Sequence, residues 1–165
     1  MDTCAAAVRA LVLSRLDYAN SLLYDVPDCA LEKLQVLQNN AARLVSRCPR
    51  RGHITPVLRQ LHWLPIRQRI SHTLLSLAHR AVHDESTPLY LQELIQPKRA
   101  PRALRSKSAA LQLHAPRTTK RIGDRAFSVG APREWNALPP DTRCVDSYAS
   151  FKKCVKTILF RQHFG

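Results

Sequence analysis

Apolar residues recur every three or four positions along most of this 165-residue chain, the spacing of one face of an α-helix. Residues 5–24 predict a first helix. A second begins near Asp28, a candidate N-cap, and ends before Pro49. We expect its apolar stripe to be buried: Leu31, Leu34, Leu37, Ala41, Leu44 and Val45. We place Gln35, Gln38, Asn39 and Arg43 on its opposite side.

Proline marks the start of three further helices. Thr55–Pro56 predicts a short helix through Leu61, and Pro65 opens a longer one to about Asp84. Thr87–Pro88 predicts another over residues 89–95. A last helix is expected from an N-cap at Ser147 to about Phe164. Its predicted buried residues are Phe151, Val155, Ile158 and Leu159.

Residues 121–140, RIGDRAFSVGAPREWNALPP, hold two of the four glycines, three of the eleven prolines and one of the two tryptophans. Asp124 is a candidate cap there, and we expect Gly130 and Pro132 to bend or interrupt the element. Its large apolar residues, Trp135 above all, predict a docking segment that anchors a basic strap on the helical core. An ordinary hydrophobic loop and helix is the alternative.

These patterns predict a mainly α fold, a helical array of about five to seven helices. It includes a basic, proline-containing irregular segment and leaves room for one short β element at residues 110–114. We divide the chain into a helical hairpin (1–48), a Pro-initiated helical array (49–96), a basic strap or linker (97–125), and a docking segment with a C-terminal helix (126–165).

Charge is distributed unevenly. The net charge is +14, yet residues 1–48 carry five bases and five acids, while residues 97–125 carry nine bases and one acid. Such a local excess predicts contact with the RNA or DNA backbone at low sequence specificity. The predicted phosphate-binding residues are Arg99, Arg102, Arg105, Lys107, Arg117, Lys120 and Arg121, with Arg43 and Arg47 on the hairpin. An acidic lipid or protein surface, or merely a solvated linker, remain alternatives.

Motifs for catalysis are absent from the sequence. It has no glycine-rich phosphate loop, no GxSxG elbow, and few neighbouring carboxylates, so we predict no enzyme activity, cofactor or small-molecule substrate. His79 and His83 have a zinc-ligand spacing, but further ligands at a recognised spacing are missing, so we predict two histidines on the polar side of a helix and no metal.

Cysteine usage and hydropathy bear on the compartment. Five scattered cysteines without a CxxC pair indicate a reducing environment, and we expect them to be buried apolar residues. Neither a secretory signal nor an apolar run of the roughly 20 residues that cross a bilayer is visible. We therefore expect an intracellular protein of the nucleus or cytoplasm, without membrane contact.

Six ordered motifs resemble one family. They are LVLSRLDYANSLLYDVP, LEKLQVLQNNAARLV, HITPVLRQLHWLPIRQRI, PLYLQELI, GDRAFSVGAPREWNALPPDTR and SFKKCVKTILFRQHF. From about Leu11 to Phe164 the chain resembles the C-terminal part of LINE-type (non-LTR) retrotransposon reverse transcriptases of the jockey and chicken-repeat kind. The resemblance implies that residues 1–48 are similar to the polymerase thumb, and the remainder to a C-terminal extension that contacts RNA or target DNA.

The resemblance carries over no catalytic residue, because the Tyr-Ala-Asp-Asp signature of the polymerase is missing. It implies a non-catalytic, nucleic-acid-binding fragment from a truncated element copy, with the upstream reverse transcriptase domains as a further partner. The alternatives are a protein-interaction module that uses the stripe of residues 31–45, and a non-functional pseudogene product.

Overall fold

Helices occupy most of residues 3–98 and 111–165, the two stretches that the computed structural model describes. The mainly α fold class is confirmed. The chain divides into two compact units, the first formed by Met1–Ile70 with Ile158–Gly165 and the second by Ser71–Thr157. The helices are α1 (Thr3–Val8), α2 (Ser14–Asp17), α3 (Asp28–Ser46), α4 (Thr55–Gln60), α5 (Ile66–His83), α6 (Leu89–Leu94), α7 (Arg121–Asp124), α8 (Phe127–Ala137), α9 (Pro140–Arg143) and α10 (Tyr148–Phe164).

The N-terminal helix is shorter and less regular than predicted. A π-helical segment, Arg9–Leu13, joins α1 to α2, and α2 ends at Asp17. Ala19 has a φ of 51°, in the left-handed region, which cannot continue a right-handed helix. A 3-10 helix, Asn20–Leu23, follows. The prediction of one helix over residues 5–24 is therefore wrong beyond Asp17.

The buried face of α3 is rotated from the predicted stripe. Leu31, Ala41 and Ala42 are buried as part of the first unit's core, but Leu37 and Leu44 are 49% and 62% exposed. Gln38, expected on the polar side, is fully buried. The expected burial of Leu37 and Leu44 is wrong because hydrogen bonds of α3 with the turn before α5 place glutamines on the packed face.

Two glutamines of α3 make those hydrogen bonds. Gln38 Nε2 donates to the Leu64 carbonyl at 2.8 Å, and Gln35 Oε1 accepts from the Ile66 amide at 2.9 Å. The amide of Ile66 is one of the first amides of α5, which have no partner within the helix. Gln35 therefore acts as a cap supplied by another helix, and it fixes where α5 begins.

The predicted proline-initiated helices are present, with shifted caps. Pro56 lies in the first turn of α4, Ile54 precedes that helix, and Pro88 immediately precedes α6. Asp28 is the first residue of α3 and forms an ion pair with Arg67, so it does not cap the helix. No described helix is both long and apolar enough to cross a membrane.

In the second unit, the predicted strand at residues 110–114 is reduced to one antiparallel bridge between Pro97 and Leu113. Lys98 N donates to Gln112 O, and His114 N donates to Gln96 O, each at 2.8 Å. The short β element thus consists of a single pair of backbone hydrogen bonds within the described part of the chain.

The docking segment forms a helix instead of an interrupted element. α8 runs through Gly130 and Pro132, both of which are buried, so the expectation of an interruption is wrong. Trp135 is fully buried and stacks on Phe151 of α10, with ring centroids 5.4 Å apart. The packing of the two aromatic rings offsets the loss of the backbone hydrogen bond that Pro132 removes.

Candidate nucleic-acid interface

The end of α3 and the turn after it concentrate arginines in the first unit. We call Arg43, Arg47, Arg50 and Arg51 the arginine turn. All except the half-buried Arg43 are exposed, as is Arg59 on α4. None of these guanidinium groups forms a salt bridge among the described residues. The charge of the four exposed arginines is therefore available to an external anion.

Backbone geometry holds the arginine turn in one conformation. Arg47 ends α3 with a left-handed φ of 53°, and Cys48 N donates to Arg43 O at 3.1 Å. Gly52 N donates to Pro49 O at 2.9 Å, and Arg43 Nη2 lies 3.4 Å from Gly52 O. A Cβ at position 52 would lie 2.9 Å from Cys48 Sγ, so glycine permits the close approach.

The arginine turn lies in a long stretch without acids. Residues 33–83 contain nine Lys and Arg residues and no Asp or Glu. Three of these bases, Arg67, Arg69 and Arg80, are paired with acids outside the stretch, Asp28, Asp17 and Asp84. Sequence reasoning chose only Arg43 and Arg47 here and missed Arg50, Arg51 and Arg59. A scan for acid-free stretches would have found them.

A second group of cations surrounds α7 in the second unit. Arg117, Lys120, Arg121 and Arg125 are all exposed. Arg117, Lys120 and Arg125 have no carboxylate partner among the described residues. This group includes three of the predicted phosphate-binding residues.

Neighbouring side chains already compensate the negative charge of Asp124, the single acid of this group. Asp124 accepts a hydrogen bond from the Thr118 hydroxyl and forms a 2.8 Å ion pair with Arg133 of α8. The hydrogen bond from Thr118, followed by that from Arg133, lowers the pKa of the Asp124 carboxyl below its ordinary value of 3.8. Asp124 therefore stays ionised and partnered, and it is not the cap of α8 that we expected.

The other predicted contacts divide between the units or lie outside the described residues. Arg43 and Arg47 belong to the first unit, and Arg117, Lys120 and Arg121 to the second. Arg99, Arg102, Arg105 and Lys107 lie outside the described residues. The residues that flank them, Gln96–Lys98 and Gln112–His114, are hydrogen-bonded to each other.

The histidine pair on α5 lies in an aromatic cluster. His79 is 1% exposed, so its assignment to a polar side is wrong. Its Nε2 lies 2.7 Å from the Val145 carbonyl and its ring is 4.3 Å from Phe151 and 4.5 Å from His83. Burial lowers the pKa of His79 below 6.5, opposed by the hydrogen bond to Val145. The ring is therefore neutral at pH 7, with Nε2 as its donor.

The described residues hold no group of three or more potential ligands that could bind a metal ion. The five cysteines, all in the described part of the chain, form no disulfide there, and Cys29, Cys144 and Cys154 are exposed. The expectation of buried cysteines is wrong for these three because they lie on the outer faces of their segments.

Comparison of the chain with protein-family models, with curated proteins and with solved structures finds no match.

Proposed function

We propose that this protein is a non-catalytic nucleic-acid-binding protein, similar to the C-terminal part of a LINE-type reverse transcriptase, that contacts the RNA or DNA backbone. Two groups of cations would bind phosphates: the arginine turn with Arg59, and the exposed cations around α7. The predicted residues Arg99, Arg102, Arg105 and Lys107 would add to them.

The observation that carries the proposal is the surplus of unpaired arginine in the acid-free stretch of residues 33–83. A surface charged only for solubility would intersperse both signs. Arginine binds phosphate through a planar, bidentate set of donors, and neighbouring arginines suit the closely spaced phosphates of a nucleic-acid backbone. Contacts to phosphates carry no base information, so the proposed binding is sequence-tolerant.

Salt dependence of binding tests the proposal. The full chain would be titrated against a short DNA duplex and a single-stranded RNA between about 50 and 200 mM salt. The slope of log K against log salt should be about −0.9 for each phosphate engaged on duplex and about −0.7 on a single strand. Absence of binding at low salt, or a flat salt response, would contradict the proposal.

A second candidate is a protein-interaction module. Val36, Leu37 and Leu44 on α3 are each about half exposed or more, and exposed apolar side chains grouped on one helix favour association. Light scattering separates the two functions. A monodisperse monomer that binds RNA in a salt-sensitive manner supports the first, whereas salt-insensitive association that is lost in Leu37→Lys supports the second.

A further inference from the structure

Three side chains of α8 and α9 hold the backbone at Leu111 and Leu113, within the basic strap of residues 97–125. Trp135 Nε1 donates to the Leu111 carbonyl at 3.0 Å, and Arg143 Nη1 donates to the same oxygen at 3.1 Å. Asn136 Oδ1 accepts from Leu113 N at 2.9 Å, while its Nδ2 donates to Leu113 O at 2.8 Å. We call Trp135, Asn136 and Arg143 the clamp.

The clamp satisfies backbone groups that a strand would normally pair. The carboxamide of Asn136 offers one acceptor and one donor to the two backbone groups of Leu113, as a neighbouring strand would. Leu113 is fully buried, so its amide and carbonyl would lose hydrogen-bonding energy without these partners. This explains why the backbone is ordered here without a sheet.

The clamped residues are in turn paired with residues 96–98. Lys98 and Gln96 make the two backbone hydrogen bonds to Gln112 and His114 described above. Residues 96–98 and 112–114 thus lie side by side, and the clamp fixes Leu111 and Leu113 to α8 and α9. Arg143, itself 6% exposed, also donates to Leu138 O at 3.2 Å and is held in place.

We propose that the clamp residues are positioning residues for nucleic-acid binding: by fixing Leu111 and Leu113, they hold Lys98 and the start of the stretch that leads to Arg117 in a binding-competent arrangement. This inference rests on the proposed function. The clamp touches no phosphate. It acts by raising the fraction of molecules in which residues 96–98 are paired with residues 112–114. The apparent affinity for nucleic acid scales with that fraction.

Asn136→Ala tests this role because it removes both hydrogen bonds to Leu113 and leaves every cation in place. We expect roughly five- to tenfold weaker binding to the duplex probe if the paired fraction falls to between about a fifth and a tenth. The slope against salt should stay the same, because the number of phosphates engaged is unchanged. Plots of log K against log salt for the wild type and for Asn136→Ala should therefore be parallel.

Trp135→Phe provides a milder variant, since it deletes one hydrogen bond and keeps an aromatic ring in the core; it carries the test if Asn136→Ala does not fold. Val155→Ala is the matched control: Val155 is fully buried in the same unit, and its side chain makes no hydrogen bond to Leu111 or Leu113. Affinity should be unchanged in the control wherever the protein is folded. Hydrogen exchange at the Lys98 and His114 amides should accelerate in the clamp variants only.

The outcomes separate the two proposals. If the wild type binds and both clamp variants bind as Val155→Ala does, the clamp has no positioning role and the proposed function stands. A clamp variant with a smaller salt slope also counts against the inference. If the wild type binds neither the DNA duplex nor the single-stranded RNA, both the proposed function and this inference are wrong.

Discussion

Gln38 Nε2 lies 2.8 Å from the Leu64 carbonyl oxygen in the fully buried interior of the first unit, and it joins the middle of α3 to the turn before α5. The same side chain accepts a hydrogen bond from Gln35 at 3.1 Å. This polar link decides which face of α3 is packed.

Gln38→Met should destabilise the protein, because methionine fills a similar volume but leaves the Leu64 carbonyl without its donor. We expect a loss of about 1–3 kcal/mol in the free energy of unfolding. Urea unfolding followed by circular dichroism measures it. The control is Gln60→Met at an exposed position of α4, where the effect should stay within about 0.5 kcal/mol. Equal losses in both variants would contradict the role of the link.

Asn20→Leu should stabilise the protein. Asn20 is 3% exposed, and neither its Oδ1 nor its Nδ2 has a hydrogen-bond partner among the described residues. Replacing a desolvated amide by an apolar side chain of similar shape should raise the free energy of unfolding by about 1 kcal/mol or more. Thermal unfolding tests this expectation, with Asn40→Leu on the exposed face of α3 as the control. A lower melting temperature for Asn20→Leu would show that its amide is satisfied in solution.

Stability should fall as the pH drops below about 6.5, partly through His79. Burial lowers the pKa of His79 in the folded state below its ordinary value of 6.5, so the unfolded chain binds the proton first. The contribution of His79 is then fully present above pH 6.5 and is lost progressively on acidification. Denaturant unfolding at several pH values measures the slope.

His79→Phe should flatten that slope between pH 7 and the folded-state pKa, although it costs about 1–3 kcal/mol at neutral pH by leaving the Val145 carbonyl unpaired. Gln60→Met, a neutral substitution at an exposed site, should keep the wild-type slope. An unchanged slope in His79→Phe would assign the acid sensitivity to other groups.

The arginine turn should account for part of the salt dependence of binding. Replacing Arg47, Arg50 and Arg51 by glutamine should make the slope on duplex DNA shallower by up to about 2.7, since each phosphate contact contributes about 0.9. The control replaces Lys152, Lys153 and Lys156 on α10 by glutamine, which removes the same amount of charge. If both triple variants lose the same slope, net charge and not the arginine turn governs binding.

Much of the fold was predictable because it depends on local properties. The periodicity of α3, α5 and α10, the proline in the first turn of α4 and the prolines just before α5 and α6 predicted these helices to within a few residues, since helix geometry and proline sterics act on neighbouring residues. The predicted burial of Phe151, Val155 and Leu159 on α10 is confirmed for the same reason, and Ile158 is half-buried.

The sequence by itself determined the helical class, the helix starts and the surplus of positive charge, all of which follow from composition and short-range spacing. The tertiary structure decided which face of α3 is buried, where the first helix breaks, and how Asn136 pairs with Leu113. These features depend on hydrogen bonds between residues more than twenty positions apart, or on a left-handed backbone at Ala19, and no local spacing encodes them. A buried polar group is stable only when its partner is in place, and the fold alone brings that partner to it.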